Sequence, residues 1–356
     1  MTPDATMSAT NGNLKVGFFF WPRDTETVMQ MGRLAEEHGY DMVGVADSPG
    51  NCVDCWVSAT LLSVAAPTIP LTICVSNFVS RHWTTSGSAA ASLAMAHRPG
   101  FVLGMGAGHS AVRNFGLTGS TVNEMAHDLE ATLRLVRGEA VPSGTGDAHL
   151  PWMRERPRVF LAASHEPSLR LAGSLADGVF VNYGLRAENI AESAAQVARG
   201  SVLTGNDPEI WQVAALDCAE DGAEARAAIG KICAFIAGYV IGKRDPAKRG
   251  VPPEHVDALR ELVQLYSTRP SQADTDLVAR LGLSDYLTRR VAICGDPDEC
   301  LTQLRAASQA GAKAVMFSVA QSSDPLKTVD LLGRHVLPAL RADASTAAAA
   351  TMIHAT

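Results

Sequence analysis

The residues of this chain that can do chemistry gather where short apolar runs end. Gly106, Ala107, Gly108 and His109 follow the run 101–105, and Asp47 and Ser48 follow the run 42–46. Cys74, Val75, Ser76 and Asn77 lie at the end of the run 71–76, Ala162, Ala163 and Ser164 at the end of 159–163, Asn182 and Tyr183 at the end of 178–182, and Trp21 after 15–20. Turn glycines expose backbone N–H groups, and amides presented that way donate to anions such as phosphate. A histidine beside them, His109, can hold or move a proton near neutral pH. Asp47 is a second titratable candidate, although an aspartate before Ser-Pro-Gly also suits a turn. Trp21 offers a flat apolar face to a flat ring.

Other chemistries lose support. Gly104, Gly106 and Gly108 lack the third glycine of a dinucleotide fingerprint, because Ala111 stands at that position. Cys52 and Cys55 have CxxC spacing without a second pair, so they read as a helix start before a zinc or redox site. His82, between Arg81 and Trp83, reads as structural. Metalloprotease, α/β-hydrolase and P-loop signatures are absent from the sequence. The basic residues Lys243, Arg244, Lys248 and Arg249 read as a solvated loop, with clamping of an acidic ligand tail as the alternative.

Lys plus Arg number 30 against 37 Asp plus Glu, a net charge of −7 that leaves no footprint for nucleic acid. The 7 scattered cysteines, several in apolar runs, suit a reduced, cytoplasmic protein. Neither a signal peptide nor a membrane span is expected.

Positioning such residues requires elements that end together. Strands are expected at 15–20, 42–46, 71–76, 101–105, 159–163, 178–182, 209–218 and 314–319. Helices are expected at 25–38, 54–64, 86–97, 123–137, 167–176, 187–199, 297–310 and 326–340, and residues 142–157 read as a Gly/Pro-rich connection. Strict alternation of this kind means a parallel sheet covered by helices. Eight units favour a closed (β/α)8 TIM barrel over a doubly wound sheet, with the active site at the C-terminal ends of the strands. The domain organisation follows: a tail at 1–13, one barrel domain at 14–341 with a helical insertion at about 223–290 before the last β/α unit, and a low-complexity tail at 342–356.

Four stretches, 35–47, 75–82 with 101–112, 159–178 and 291–299, resemble the bacterial-luciferase-like superfamily, and within it the branch similar to methylenetetrahydromethanopterin reductase. The resemblance spans residues 15–340. It implies a (β/α)8 barrel binding coenzyme F420 or, alternatively, FMN. It implies a non-proline cis peptide at Cys74–Val75 beneath the cofactor ring, and polar contacts at Asp47, Ser76 and Asn77. Phosphate contacts are implied at Gly106, Ala107, Gly108 and His109 and at Ala162, Ala163 and Ser164, with Asn182 beside them. His109 and Asp47 become the expected catalytic residues, and Trp21 and Tyr183 the expected substrate contacts. Some deazaflavin relatives carry a carboxylate where His109 stands, and a basic phosphate contact of others falls here on Leu185. The expected function is F420-dependent hydride transfer to or from a small organic substrate. The alternatives are an FMN-dependent monooxygenase fed by a separate flavin reductase, and a flavin-binding barrel without turnover. A homodimer is expected, since relatives are commonly dimeric.

Overall fold

The computed structural model describes residues 14–241 and 245–343. Strands β1 (Lys15–Phe20), β2 (Met42–Val45), β3 (Leu71–Asn77) and β4 (Phe101–Gly106) are followed by a short hairpin, β5 (Val141–Ser143) and β6 (Gly146–Ala148). Then come β7 (Arg158–Ala163), β8 (Gly178–Val181), β9 (Glu209–Cys218), β10 (Ala292–Gly295) and β11 (Ala314–Ser318). In the main sheet β1, β2, β3, β4, β7 and β8 run side by side, and β11 flanks β1 on its other edge. β9 closes the ring: Glu209–Gln212 pair with β8 and Gln212–Ala215 pair with β11. All these ladders are parallel, so eight strands form a closed barrel whose C-terminal ends meet at one mouth.

The strands are apolar on both faces because both are buried. Met42, Cys74, Val102, Phe160, Phe180, Trp211 and Met316 fill the barrel interior. Alternate positions such as Phe18, Val43, Ile73, Leu103, Leu161 and Phe317 pack beneath the surrounding helices. The helices start where their caps say. Asp24 accepts from Thr27 N for helix Thr25–His38, and Gly39 ends that helix at φ +64°. Thr121 and Glu124 form a reciprocal capping box for Val122–Val136.

The insertion folds as helices Gly222–Ala228, Gly230–Val240, Pro253–Leu265, Leu277–Arg280 and Ser284–Val291. It has a core of its own, built from residues such as Ile232, Ile236, Leu259, Leu262, Leu277 and Leu287. That separate core lets it stand over the mouth as a body rather than as a loose loop.

Four features differ from expectation. β10 is a ninth strand on β9, paired at Ala215–Cys218; four residues are too few to give a strand period to read. The β5–β6 hairpin lies inside the expected connection 142–157. Helix Trp83–Ala96 begins three residues early because His82 Nδ1 accepts from Thr84 N at 3.3 Å. The last helix passes through a π turn at Leu332–Val336 and continues to residue 343, so positions 342 and 343 are helical rather than tail. The expected tails at 1–13 and 344–356, and the basic residues Lys243 and Arg244, lie outside the described residues. No described helix is long and apolar enough to cross a membrane.

Candidate active site

A cleft opens at the C-terminal mouth of the barrel. Its floor is apolar, with Phe19, Phe180 and Val213 rising from the interior. One wall is β3. The peptide between Cys74 and Val75 is cis, and the register of β3 on β4 shifts between Ile73 and Ser76. The resulting bulge leans Val75 across the end of β4. A methyl group at Gly106 would stand 3.2 Å from Val75 Cγ2 and 3.4 Å from Ala162 Cβ, so bare backbone lets Val75 and Ala162 close in over this position. Gly108 turns the chain at φ +83°, where a side chain would be strained and would collide with Val112. Ala107 and His109 flank it on the cleft wall, and Ala162, Ala163 and Ser164 continue that wall from the end of the neighbouring strand β7. The Ser164 carbonyl accepts from Arg249, a buried residue of the insertion, so this arginine is not solvated as the sequence reading expected.

Asp47 lines the cleft with its side chain only 1% exposed. Its carboxylate is engaged: Oδ2 accepts from Arg81 Nε at 2.7 Å and from Ser76 Oγ at 2.6 Å, and Oδ1 accepts from Arg81 Nη2 at 3.1 Å. Arg81 also donates to Asp54 Oδ2 at 2.7 Å, and Asp54 caps helix Cys55–Ala65. Asn77 is spent locally, its Oδ1 accepting from Val79 N and Ser80 N at 3.0 and 2.8 Å. Ser76 and Asn77 therefore meet the cleft with side chains already committed. Asn182 differs: its Oδ1 is buried at the cleft with no hydrogen-bond partner, which a bound polar group would satisfy.

His109 faces the insertion. Its ring packs on Tyr239 at 4.2 Å between centroids and meets Phe235 edge-on at 5.1 Å. Its Nε2 lies 3.1 Å from the Tyr266 hydroxyl. Trp21 closes the far side against Phe235 at 5.8 Å. Tyr183 does not reach the cleft. It is buried, and desolvation followed by a hydrogen bond with Glu192 pushes its hydroxyl up to about 12. No cluster of three or more potential metal ligands occurs among the described residues. Burial pushes the Cys52 thiol up to about 11, which leaves little thiolate at neutral pH.

The profile of the luciferase-like monooxygenase family matches residues 7–314. The chain belongs to this family. Among curated luciferase-like relatives, the 5,10-methylenetetrahydromethanopterin reductase of Methanolobus tindarius is 24% identical over 338 residues, covering 90% of this chain and 99% of the relative. Among solved structures, the coenzyme F420 dependent tetrahydromethanopterin reductase of Methanopyrus kandleri superposes with a TM-score of 0.75 at 20% identity, covering 92% of this chain and all of that one. A monooxygenase from Streptomyces bottropensis superposes at 0.65 with 17% identity, covering 92% and 99%. In this luciferase-like chain the insertion contributes what the strand ends alone did not reveal. Phe235 and Tyr239 are spaced i, i+4 on helix Gly230–Val240 and present one aromatic face to the mouth. That spacing is visible in the sequence, but nothing in it says which strand end the face meets. Tyr266 carries no local signal at all.

Proposed function

We propose that this chain is a coenzyme F420-dependent oxidoreductase that moves a hydride between the deazaflavin and a small organic substrate. The observation that supports it best is the bulge at the end of β3, where Val75 closes on Gly106 beside Ala162 and forms an apolar ledge next to the glycine turn that follows β4. The residues present fit such a cofactor. Val75 would support the ring, the amides at Gly106, Ala107, Gly108, Ala163 and Ser164 would donate to its phosphate, and the orphaned Asn182 Oδ1 would accept from a polar edge. When bound, the deazaflavin supplies a carbon centre that gives or takes hydride.

The chain's own groups do the rest. Trp21, Phe235 and Tyr239 flank the substrate side with apolar surface and keep water from the reacting atoms. His109 holds the proton that goes to, or comes from, the substrate atom paired with the transferred hydride. Asp47 serves as a brace under Arg81 rather than as the acid, because both its oxygens are taken.

Titration of the purified protein with reduced F420 and with reduced FMN tests this reading. One F420 per chain is expected, with FMN at least about tenfold weaker, a discrimination of roughly 1.4 kcal/mol. Ala162→Trp, which fills the ledge, should abolish binding of either cofactor without unfolding the barrel. Saturation by FMN with no response to F420 overturns the reading in favour of a monooxygenase supplied by a separate flavin reductase. The family's monooxygenase members keep that reading in view, and oxygen uptake with reduced FMN is its signature.

Self-association belongs to the same proposal. Helices Cys55–Ala65 and Trp83–Ala96 contain no Asp, Glu, Lys or Arg, yet expose Val57 (58%), Val64 (69%) and Met95 (39%). A neighbouring, uncharged pair of helix faces of this kind suits a second copy of the chain. Sedimentation should give twice the chain mass, and Val57→Lys with Val64→Lys should give the single-chain mass. A wild-type chain that sediments alone refutes the pairing.

A further inference from the structure

A side chain from the insertion reaches the imidazole of His109. Tyr266 follows helix Pro253–Leu265, and its ring lies flat against helix Gly230–Val240 at Gly238. A methyl group at that position would meet the Tyr266 ring carbons at 2.6–2.7 Å, so only glycine admits this approach. The contact leaves the phenol oxygen 2.7 Å from Arg113 Nη1 and 3.1 Å from His109 Nε2. The adjoining segment is tied to the same loops. Thr268 Oγ1 donates to Asn114 Oδ1 at 2.7 Å, Asn51 Nδ2 donates to the Thr268 carbonyl at 3.1 Å, and Arg269 Nη2 donates to the Asn114 carbonyl at 2.9 Å.

A guanidinium can only donate, so Arg113 occupies the acceptor side of the phenol oxygen. With Arg113 donating to the phenol oxygen, His109 Nε2 is the acceptor within reach of the phenol's own hydrogen. We propose that Tyr266 is a positioning residue that donates to His109 Nε2 and thereby holds the neutral imidazole as the tautomer protonated on Nδ1. Burial raises the affinity of the Tyr266 hydroxyl for its proton, with Arg113 acting in the opposite sense, and the donor persists through the neutral range. The importance of this tautomer for turnover rests on the reading of His109 as the proton carrier. The tautomer itself does not, since it needs neither cofactor nor substrate.

The test is a long-range ¹H–¹⁵N correlation spectrum of histidine-labelled protein at pH 8 without cofactor, with the His109 signals identified by their loss in His109→Gln. The expected pattern is a protonated Nδ1 and a bare Nε2. Tyr266→Phe keeps the ring on Gly238 and removes the hydroxyl, so the pattern should move to the Nε2-protonated form that imidazole ordinarily favours. Arg113→Met frees the hydroxyl to turn and should move it part of the way. With a competent substrate, Tyr266→Phe should lower kcat about tenfold with KM changed less than about twofold. A wild-type Nε2–H pattern, or a Tyr266→Phe spectrum identical to wild type, overturns the proposal. The expected spectra in a protein that binds neither F420 nor FMN would uphold it while sinking the functional reading.

Discussion

Replacing His109 by alanine should lower turnover by about 10²–10⁴-fold while leaving cofactor affinity within about threefold. The asymmetry follows from where the side chain stands. The amides of Gly106, Ala107 and Gly108 belong to the backbone and survive the change, whereas the imidazole is the titratable group that the cleft wall turns toward the aromatic, substrate side. Because the ring is packed among Phe235, Tyr239 and Tyr266, alanine also leaves a void there. His109→Gln fills most of that void without restoring a titrating group, so it should be as slow as the alanine variant. Added imidazole should restore part of the activity of His109→Ala and none of that of His109→Gln. A loss smaller than about threefold in both variants would remove His109 from the chemistry.

Arg81→Met should destabilise the barrel by about 3–5 kcal/mol, the cost of leaving a buried carboxylate without its partner. Asp47 is almost wholly buried and is bound by Arg81 at two points, with Ser76 as the third donor. The same guanidinium reaches Asp54, whose side chain accepts from Trp56 N at 2.9 Å and Val57 N at 3.2 Å and so starts helix Cys55–Ala65. One arginine thus ties the end of β2, the bulged β3 and the following helix. Denaturation in urea reads the loss. The double variant Asp47→Asn, Arg81→Met removes the uncompensated charge and should recover at least half of it. A single-variant loss below about 1 kcal/mol would show that the pair contributes little, as exposed pairs do.

The barrel was legible because its signal is periodic and repeated. Eight apolar runs, each followed by a helical stretch, leave few topologies, and the burial of both strand faces explains why those runs lack alternation. The strand-end residues were legible for the same reason: once the ends converge, Asp47, Ser76, Gly106, Ala162 and Asn182 must be neighbours. The roles of individual side chains were less so. Tyr183 follows Asn182 directly in sequence yet is buried away from the cleft, because neighbouring residues at a strand end point to opposite faces. Asp47 reads as an acid until Arg81, 34 residues away, is seen to hold it. Phe235, Tyr239 and Tyr266 come from an insertion whose placement depends on its own core and on long-range hydrogen bonds, such as Thr268 to Asn114 across 154 residues. No local pattern encodes contacts of that kind.

A crystal structure of the protein with coenzyme F420 bound decides whether the barrel mouth is a deazaflavin site. The deazaflavin ring is expected to lie against Val75, with its phosphate within hydrogen-bond distance of the amides between Gly106 and His109 or between Ala163 and Ser164. A ring seated elsewhere on the molecule, or a phosphate held outside the mouth of the barrel, would contradict it.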